Sequence, residues 1–265
     1  MSDVLKVADE GHVRTLRLNR PDVRNAMNTE LIWALIGAAR EAALDDDVWV
    51  VAITGTDGAF CAGLDLVGPG ENTNPNSARD QYLDDLGWPS RIMLVLREEC
   101  EKPVVGGLNG AAVGAGLSLA LACDVRIMSR SARILAGYPR IGGSPDGGMT
   151  FTLAQLIGYE QAMRFLLENA TLSAEEALAK GLVGEVVDDD AFEERLQEYC
   201  QALARVSPIT SRLTKRTMVR ATATVDLAAQ LRLEITSIGR AFASEDGKEA
   251  RRAFLEGRAP NFVGR

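Results

Sequence analysis

Strand-like and helix-like stretches alternate along this chain as far as about Val187, and from Ala191 onward only helical periodicity remains. Strands separated by helices pair largely in parallel, because each return to the sheet crosses one of its faces. The pattern therefore predicts an α/β core followed by a helical part. The division is expected near 190, with residues 1–190 forming the core and 191–265 the C-terminal helical region. "VLKVADEGHVRTLRLNRP" alternates apolar and polar residues on both sides of Glu10 and Gly11, which reads as a hairpin with His12 exposed at its turn. "NTELIWALIGAAREAALDD" carries apolar residues at helical spacing, with Asn28 or Thr29 as cap. "VWVVAIT" is a continuous apolar run and reads as a buried strand, with "AFCAGLDL" beyond it as a turn. Residues 68–77, "GPGENTNPNS", read as a polar loop, and "ARDQYLDDLGWPSRIMLVLREECE" as a helix broken near Gly87 and Pro89. "AVGAGLSLALACD" reads as a helix of small residues, and "TLSAEEALAKGLVGEVVDD" as a capped helix running into a strand.

Bulk properties exclude several function classes. The net charge is −8, from 37 acidic and 29 basic residues, and such a surface repels a phosphate backbone, so no nucleic-acid partner is expected. The most apolar stretch, "AAVGAGLSLALAC", is too short for a bilayer, and "MSDVLKVADE" is too polar for a signal peptide; no membrane partner and a cytoplasmic location are expected. The four cysteines show no CxxC spacing and read as reduced thiols. With one histidine, His12, neither a Ser-His-Asp triad nor a multi-histidine metal site has the material it needs, and no metal is expected.

Three segments can carry chemistry. "GAAVGAGLSLALA", positions 110–122, fails the dinucleotide fingerprint because Leu119 stands where the third glycine belongs. It still places a glycine-rich turn at the start of a helix, where unpaired amides carry positive partial charge and suit a developing oxyanion; close packing through small residues explains it equally well. "AFCAGLDL", positions 59–66, is a second such turn after a buried strand, and two turns of this kind can converge on one carbonyl oxygen. "IGGSPDGGMTF", positions 141–151, holds a single carboxylate, Asp146, among glycines. It reads as a cap for a helix starting at Gly147, or as the acid or base of a site.

Five stretches, in order and in register, resemble the crotonase (enoyl-CoA hydratase/isomerase) superfamily: "LNRPDVRNAMN", "AFCAGLDL", "KPVVGGLNGAAVGAGLSLALACDVRI", "TLSAEEALAKGLVGEVV" and "GKEARRAFLEGRAPNF". The resemblance covers nearly the whole chain. It implies a spiral of ββα units with a C-terminal helical trimerisation part, a homotrimer or hexamer, and an acyl-CoA thioester as substrate. No cofactor is implied beyond the coenzyme A moiety of that substrate. By motif position the thioester oxygen falls to the backbone N–H groups of Leu64 and Ala115, while Arg24, Ala26, Ala62, Asp65 and Leu66 match segments that line the CoA site. At the two places where the family's hydratases keep glutamates this chain has Ser118 and Tyr138, both assigned to the substrate pocket, Tyr138 as its wall.

Several branches of the family keep an aspartate where Asp146 stands, as nucleophile or in proton transfer. With both glutamates replaced, the resemblance favours double-bond isomerisation through a thioester enolate, with Asp146 as the acid/base group. Hydration, aryl-CoA dehalogenase-like chemistry and silent acyl-CoA binding are the alternatives. Asp84 and Asp85 stand as reserve carboxylates, and Glu98, Glu99 and Glu101 read as a solvated face. Arg20, Arg24, Lys248, Arg251 and Arg252 are the basic candidates for CoA phosphates. Leu227, Leu231, Ile235 (or Ile238) and Phe242 form an apolar stripe at helical spacing, expected at a subunit contact.

Overall fold

The computed structural model describes residues 3–68, 73–223 and 226–265, without the side chain of Leu227; positions 69–72 of the polar loop therefore lie outside the described residues. The first hairpin pairs β1 (Leu5–Glu10) with β2 (Val13–Leu18), from Leu5 opposite Leu18 to Glu10 opposite Val13. His12 sits exposed at the turn and stacks on Trp49 with ring centroids 3.7 Å apart. Helix α1 (Thr29–Leu44) follows, and the Asn28 side chain accepts the Leu31 amide as its cap.

The elements that follow repeat one pattern. β3 (Val50–Gly55) leads to β4 (Ala59–Cys61), then α2 (Ala78–Leu83) and α3 (Gly87–Leu94), which runs into a π-type turn at Val95–Glu99. β5 (Val104–Leu108) leads to β6 (Ala111–Val113) and α4 (Ala115–Ala122). β7 (Val125–Ser129) leads to β8 (Arg133–Leu135), α5 (Met149–Ile157) and α6 (Tyr159–Leu167). β9 (Thr171–Ser173), α7 (Ala174–Ala179) and β10 (Glu185–Val187) close the series. One strand of each pair joins a six-stranded sheet of order β1-β2-β3-β5-β7-β10, and the other joins a four-stranded sheet of order β4-β6-β8-β9. Pairing is parallel except at β1 with β2 and β8 with β9, so the chain winds as a spiral of ββα turns.

Three short strands depart from the sequence reading. β4 lies in the expected turn, β6 opens the expected small-residue helix, and β9 precedes the helix capped by Ser173. Each has three residues, too few to show a period, and each is held by pairing to a distant partner such as Ala59 with Ala111. The helix break falls before Gly87, which begins α3, rather than after it.

Both faces of the large sheet are covered. Leu16, Leu18, Ile53, Val104 and Leu108 pack with α1 and α4. On the other face, Val13, Val50, Ala52, Val105 and Ile127 pack with Phe192, Leu196 and Cys200 of α8 (Phe192–Leu203). The region after 190 thus begins with a helix seated on the core sheet. The remaining helices are α9 (Pro208–Ala221), α10 (Leu227–Ala243) and α11 (Glu245–Glu256). On α10, Gln230 and Ser237 are buried, whereas Leu231, Ile235, Ile238 and Phe242 are exposed, Ile235 at 73%. No described helix is long and apolar enough to cross a membrane. The glutamate run is only in part a solvated face: Glu99 pairs with Arg40, and Glu101 is held by Arg216 at 2.6 Å and by Arg212.

Leu196 tests the seating of α8. A leucine 4% exposed leaves a cavity when truncated, so Leu196→Ala is expected to lower stability by about 2–5 kcal/mol. Urea denaturation checks this, and a loss below about 1 kcal/mol would mean that α8 is not part of the core.

Candidate active site

Beyond β4 the chain passes through Ala62 and Gly63 (φ 95°) to Leu64, which bridges to Met27. Met27 N–H donates to the Gly63 carbonyl at 2.7 Å, and Asp65 N–H donates to the Met27 carbonyl at 2.9 Å. Neighbours along an extended segment bond to opposite sides, so the Leu64 amide points away from Met27. A Cβ on Gly63 would lie 2.7 Å from the Val113 carbonyl oxygen and 3.7 Å from the Ala115 amide nitrogen, which places this turn directly against the start of α4. The Ala115 amide opens that helix, where it has no intrahelical acceptor and stands at the positive end of the helix dipole. Neither the Leu64 nor the Ala115 amide has an acceptor among the described residues.

The third component comes from the next turn of the spiral. Tyr138 begins a short 3-10 turn, Tyr138–Ile141, and is buried. Asp146 is followed by Gly147 and Gly148 at φ 58° and 79°, a left-handed pair that turns the chain before α5 starts. A Cβ on Gly147 would stand 2.9 Å from Ser118 Cβ, so this turn rests on α4. Ser118 Oγ donates to the Asp146 carbonyl at 3.0 Å, and Tyr138 Oη donates to Asp146 Oδ1 at 2.7 Å.

The helix-cap reading of Asp146 does not survive this geometry. Helix α5 begins at Met149, not Gly147; its cap residue is Gly148, and no side chain caps it. The Asp146 backbone carbonyl accepts the Met149 amide at 3.1 Å, while the carboxylate is turned toward Tyr138. The two left-handed glycines separate the side chain from the amides it would have capped.

Leu64, Ala115, Ala62, Leu66 and Tyr138 line one cavity of about 190 Å³. Ser118 and Asp146 stand behind its Tyr138 wall through the hydrogen bonds just given. Other expected residues are placed elsewhere. Ala26 is buried and its carbonyl accepts from Arg20. The Asp65 carboxylate is ion-paired with Arg20 at 2.9 Å and accepts the Val67 amide, so both charges brace the turn rather than face the cavity. Arg24 is exposed with no side-chain partner among the described residues, but it does not line this cavity. Arg251 lies over the Phe242 ring and Arg252 faces Glu249. Asp84 is held by Arg91 at 2.6 Å and Asp85 is exposed; neither lines the cavity. Sequence reasoning missed Arg140, an exposed cavity-lining cation without a partner among the described residues. Nothing in "YPRI" signals which way a 3-10 turn aims it. A larger cavity of about 560 Å³, lined by Arg126, Leu203, Lys215 and Met218, holds no part of this constellation.

The arrangement offers two unpaired amides and a buried phenol on residues that line a small cavity, with one carboxylate bonded to the phenol behind that wall. The enoyl-CoA hydratase/isomerase family model matches residues 9–265, and the chain belongs to that family. It is 36% identical over 252 residues to "Probable enoyl-CoA hydratase" of Rhodobacter capsulatus, covering 94% of each chain. It is 34% identical over 269 residues to 1,2-epoxyphenylacetyl-CoA isomerase of Escherichia coli, covering 100% of each. A solved enoyl-CoA hydratase subunit from Geobacillus kaustophilus superposes with a TM-score of 0.88 at 31% identity, covering 100% of both chains. The crotonase fold expected from the motifs is therefore the fold of this chain.

Burial pushes the Tyr138 phenol above its ordinary value, and the Asp146 carboxylate pushes the same way against the Ser118 hydroxyl. A folded-state value raised above the unfolded one contributes stability below the unfolded value of 10.0, and this is lost as pH rises toward the folded value. Stability is expected to fall as pH is raised above that point, and less steeply in Tyr138→Phe. Equal slopes for the two proteins in denaturation series at alkaline pH would contradict this.

Proposed function

We propose that this chain processes acyl-CoA thioesters by double-bond isomerisation, with Asp146 as the acid/base group. The observation that carries the reading is the placement of the Asp146 carboxylate. It caps no helix, and it meets the buried wall of a cavity that Leu64 and Ala115, whose amides are unpaired among the described residues, also line. In this reading the two amides hold the thioester oxygen, where charge develops as a proton leaves C2. Asp146 takes that proton, and the electron pair spreads over the thioester oxygen and C4. The same proton returns at C4, which moves the double bond from Δ3 to Δ2. The reaction balances with no cofactor beyond the coenzyme A moiety of the substrate.

Relatives named as hydratase and as isomerase are 36% and 34% identical to this chain, so likeness alone does not choose between them. The chemistry of the side chains supports isomerisation. Hydration in the two-carboxylate manner needs a second base for water, and this chain has Ser118 and a phenol, Tyr138, whose burial opposes its ionisation.

Asp146→Asn keeps the size of the side chain and removes the base. Solvent-deuterium exchange and isomerisation across an acyl-CoA panel are expected to fall by about 10²–10⁴-fold. Exchange at the parent's rate would remove Asp146 from the chemistry.

The exposed apolar face of α10 supports assembly as a homotrimer or hexamer. Light scattering at micromolar concentration is expected to give three or six chains; a monomer would end this part of the reading.

A further inference from the structure

We infer that Tyr138 is a positioning residue that aims and holds the Asp146 carboxylate through the hydrogen bond from its phenol, and is not only a wall of the pocket. The inference rests on Asp146 being the base. The Tyr138 hydroxyl has one proton and two oxygens within reach. Asp146 Oδ1 lies at 2.7 Å, a normal length for a strong O–H···O bond, whereas Ser118 Oγ lies at 3.4 Å, too far to compete. The Ser118 hydroxyl donates instead to the Asp146 carbonyl at 3.0 Å, so its own proton is used. The phenol proton therefore goes to the carboxylate. The ring is 4% exposed and set in a turn between two left-handed glycines, Gly137 and Gly142, so its direction is fixed before any ligand arrives.

This arrangement uses one carboxylate oxygen and leaves Oδ2 with no protein partner among the described residues. Asp146 follows a proline and precedes two glycines, and α5 gives its side chain no cap bond, so the phenol is what fixes its rotation while Ser118 holds its backbone carbonyl. When Oδ2 takes a proton, the Tyr138 bond to Oδ1 persists but weakens, because the acceptor no longer carries charge.

Tyr138→Phe keeps the ring in the wall and removes only the donor. The test uses the full chain with but-3-enoyl-CoA and phenylacetyl-CoA as probes in deuterated buffer, together with 13C-NMR spectra of labelled aspartate carboxyls at one pH. The Asp146 signal is assigned by its loss in Asp146→Asn. In Tyr138→Phe, exchange is expected to fall by about 10–100-fold in kcat with KM unchanged. The Asp146 carboxyl resonance is expected to move at constant pH, because the donor at 2.7 Å is gone. In an Asp146→Asn background, adding Tyr138→Phe is expected to cost nothing more. An unmoved carboxyl resonance would overturn the inference, as would an equal loss in both backgrounds. The proposed base fails separately, if Asp146→Asn exchanges at the parent's rate, and the carboxyl resonance still decides Tyr138 if neither probe turns over.

Discussion

The site depends on one backbone-to-backbone contact. The start of α4 lies so close to β4 that a Cβ on Gly116 would come within 2.3 Å of the Cys61 carbonyl oxygen. Only the absence of a side chain permits it. This approach brings the Ala115 amide beside the turn that carries Leu64, and the two residues come to line one cavity. Ser118, three residues farther along the same helix, then supplies the surface on which the Asp146 turn rests. A displacement of the first turn of α4 would separate the amides and the carboxylate together.

Around that contact, charges serve as braces more than as ligands. Arg20 reaches both the Ala26 carbonyl and the Asp65 carboxylate, tying the loop before α1 to the loop after β4. Lys215 of α9 reaches the Leu96 and Lys102 carbonyls and the Asp124 carboxylate, and so fastens the helical region to the core. The cavity itself is lined by few charged groups, which leaves its field to the helix dipole and the unpaired amides. Such fixed dipoles stabilise a developing oxyanion without reorganising during the reaction.

What could be read from the amino-acid sequence follows the range of the forces involved. The first hairpin, the Asn28 cap, the strand at 50–55 and the helical tail have local signatures, namely alternation, a polar cap and a continuous apolar run, and they are found as expected. The strands β4, β6 and β9 exist through pairing with residues far along the chain, which leaves no local trace in three residues. The same holds at the site. Glycines marked the two amide turns and the Asp146 turn. The direction of the Asp146 side chain depends on Tyr138 eight residues earlier, and the Asp65 carboxylate turns to an arginine forty-five residues earlier. Residue type announced where a turn would be, and only the folded chain settles which way its side chains face.

The two-sheet winding has an evolutionary consequence. Leu64 belongs to the first coil, Ala115 to the second, and Tyr138 with Asp146 to the third. Under the proposed function, the hold on the thioester oxygen and the choice of proton carrier would sit on separate coils of the spiral. Residues 137–148 could then be rewritten while the first two coils stay as they are. For redesign under that reading, the third coil is the place to change the reaction without disturbing the handle on the substrate.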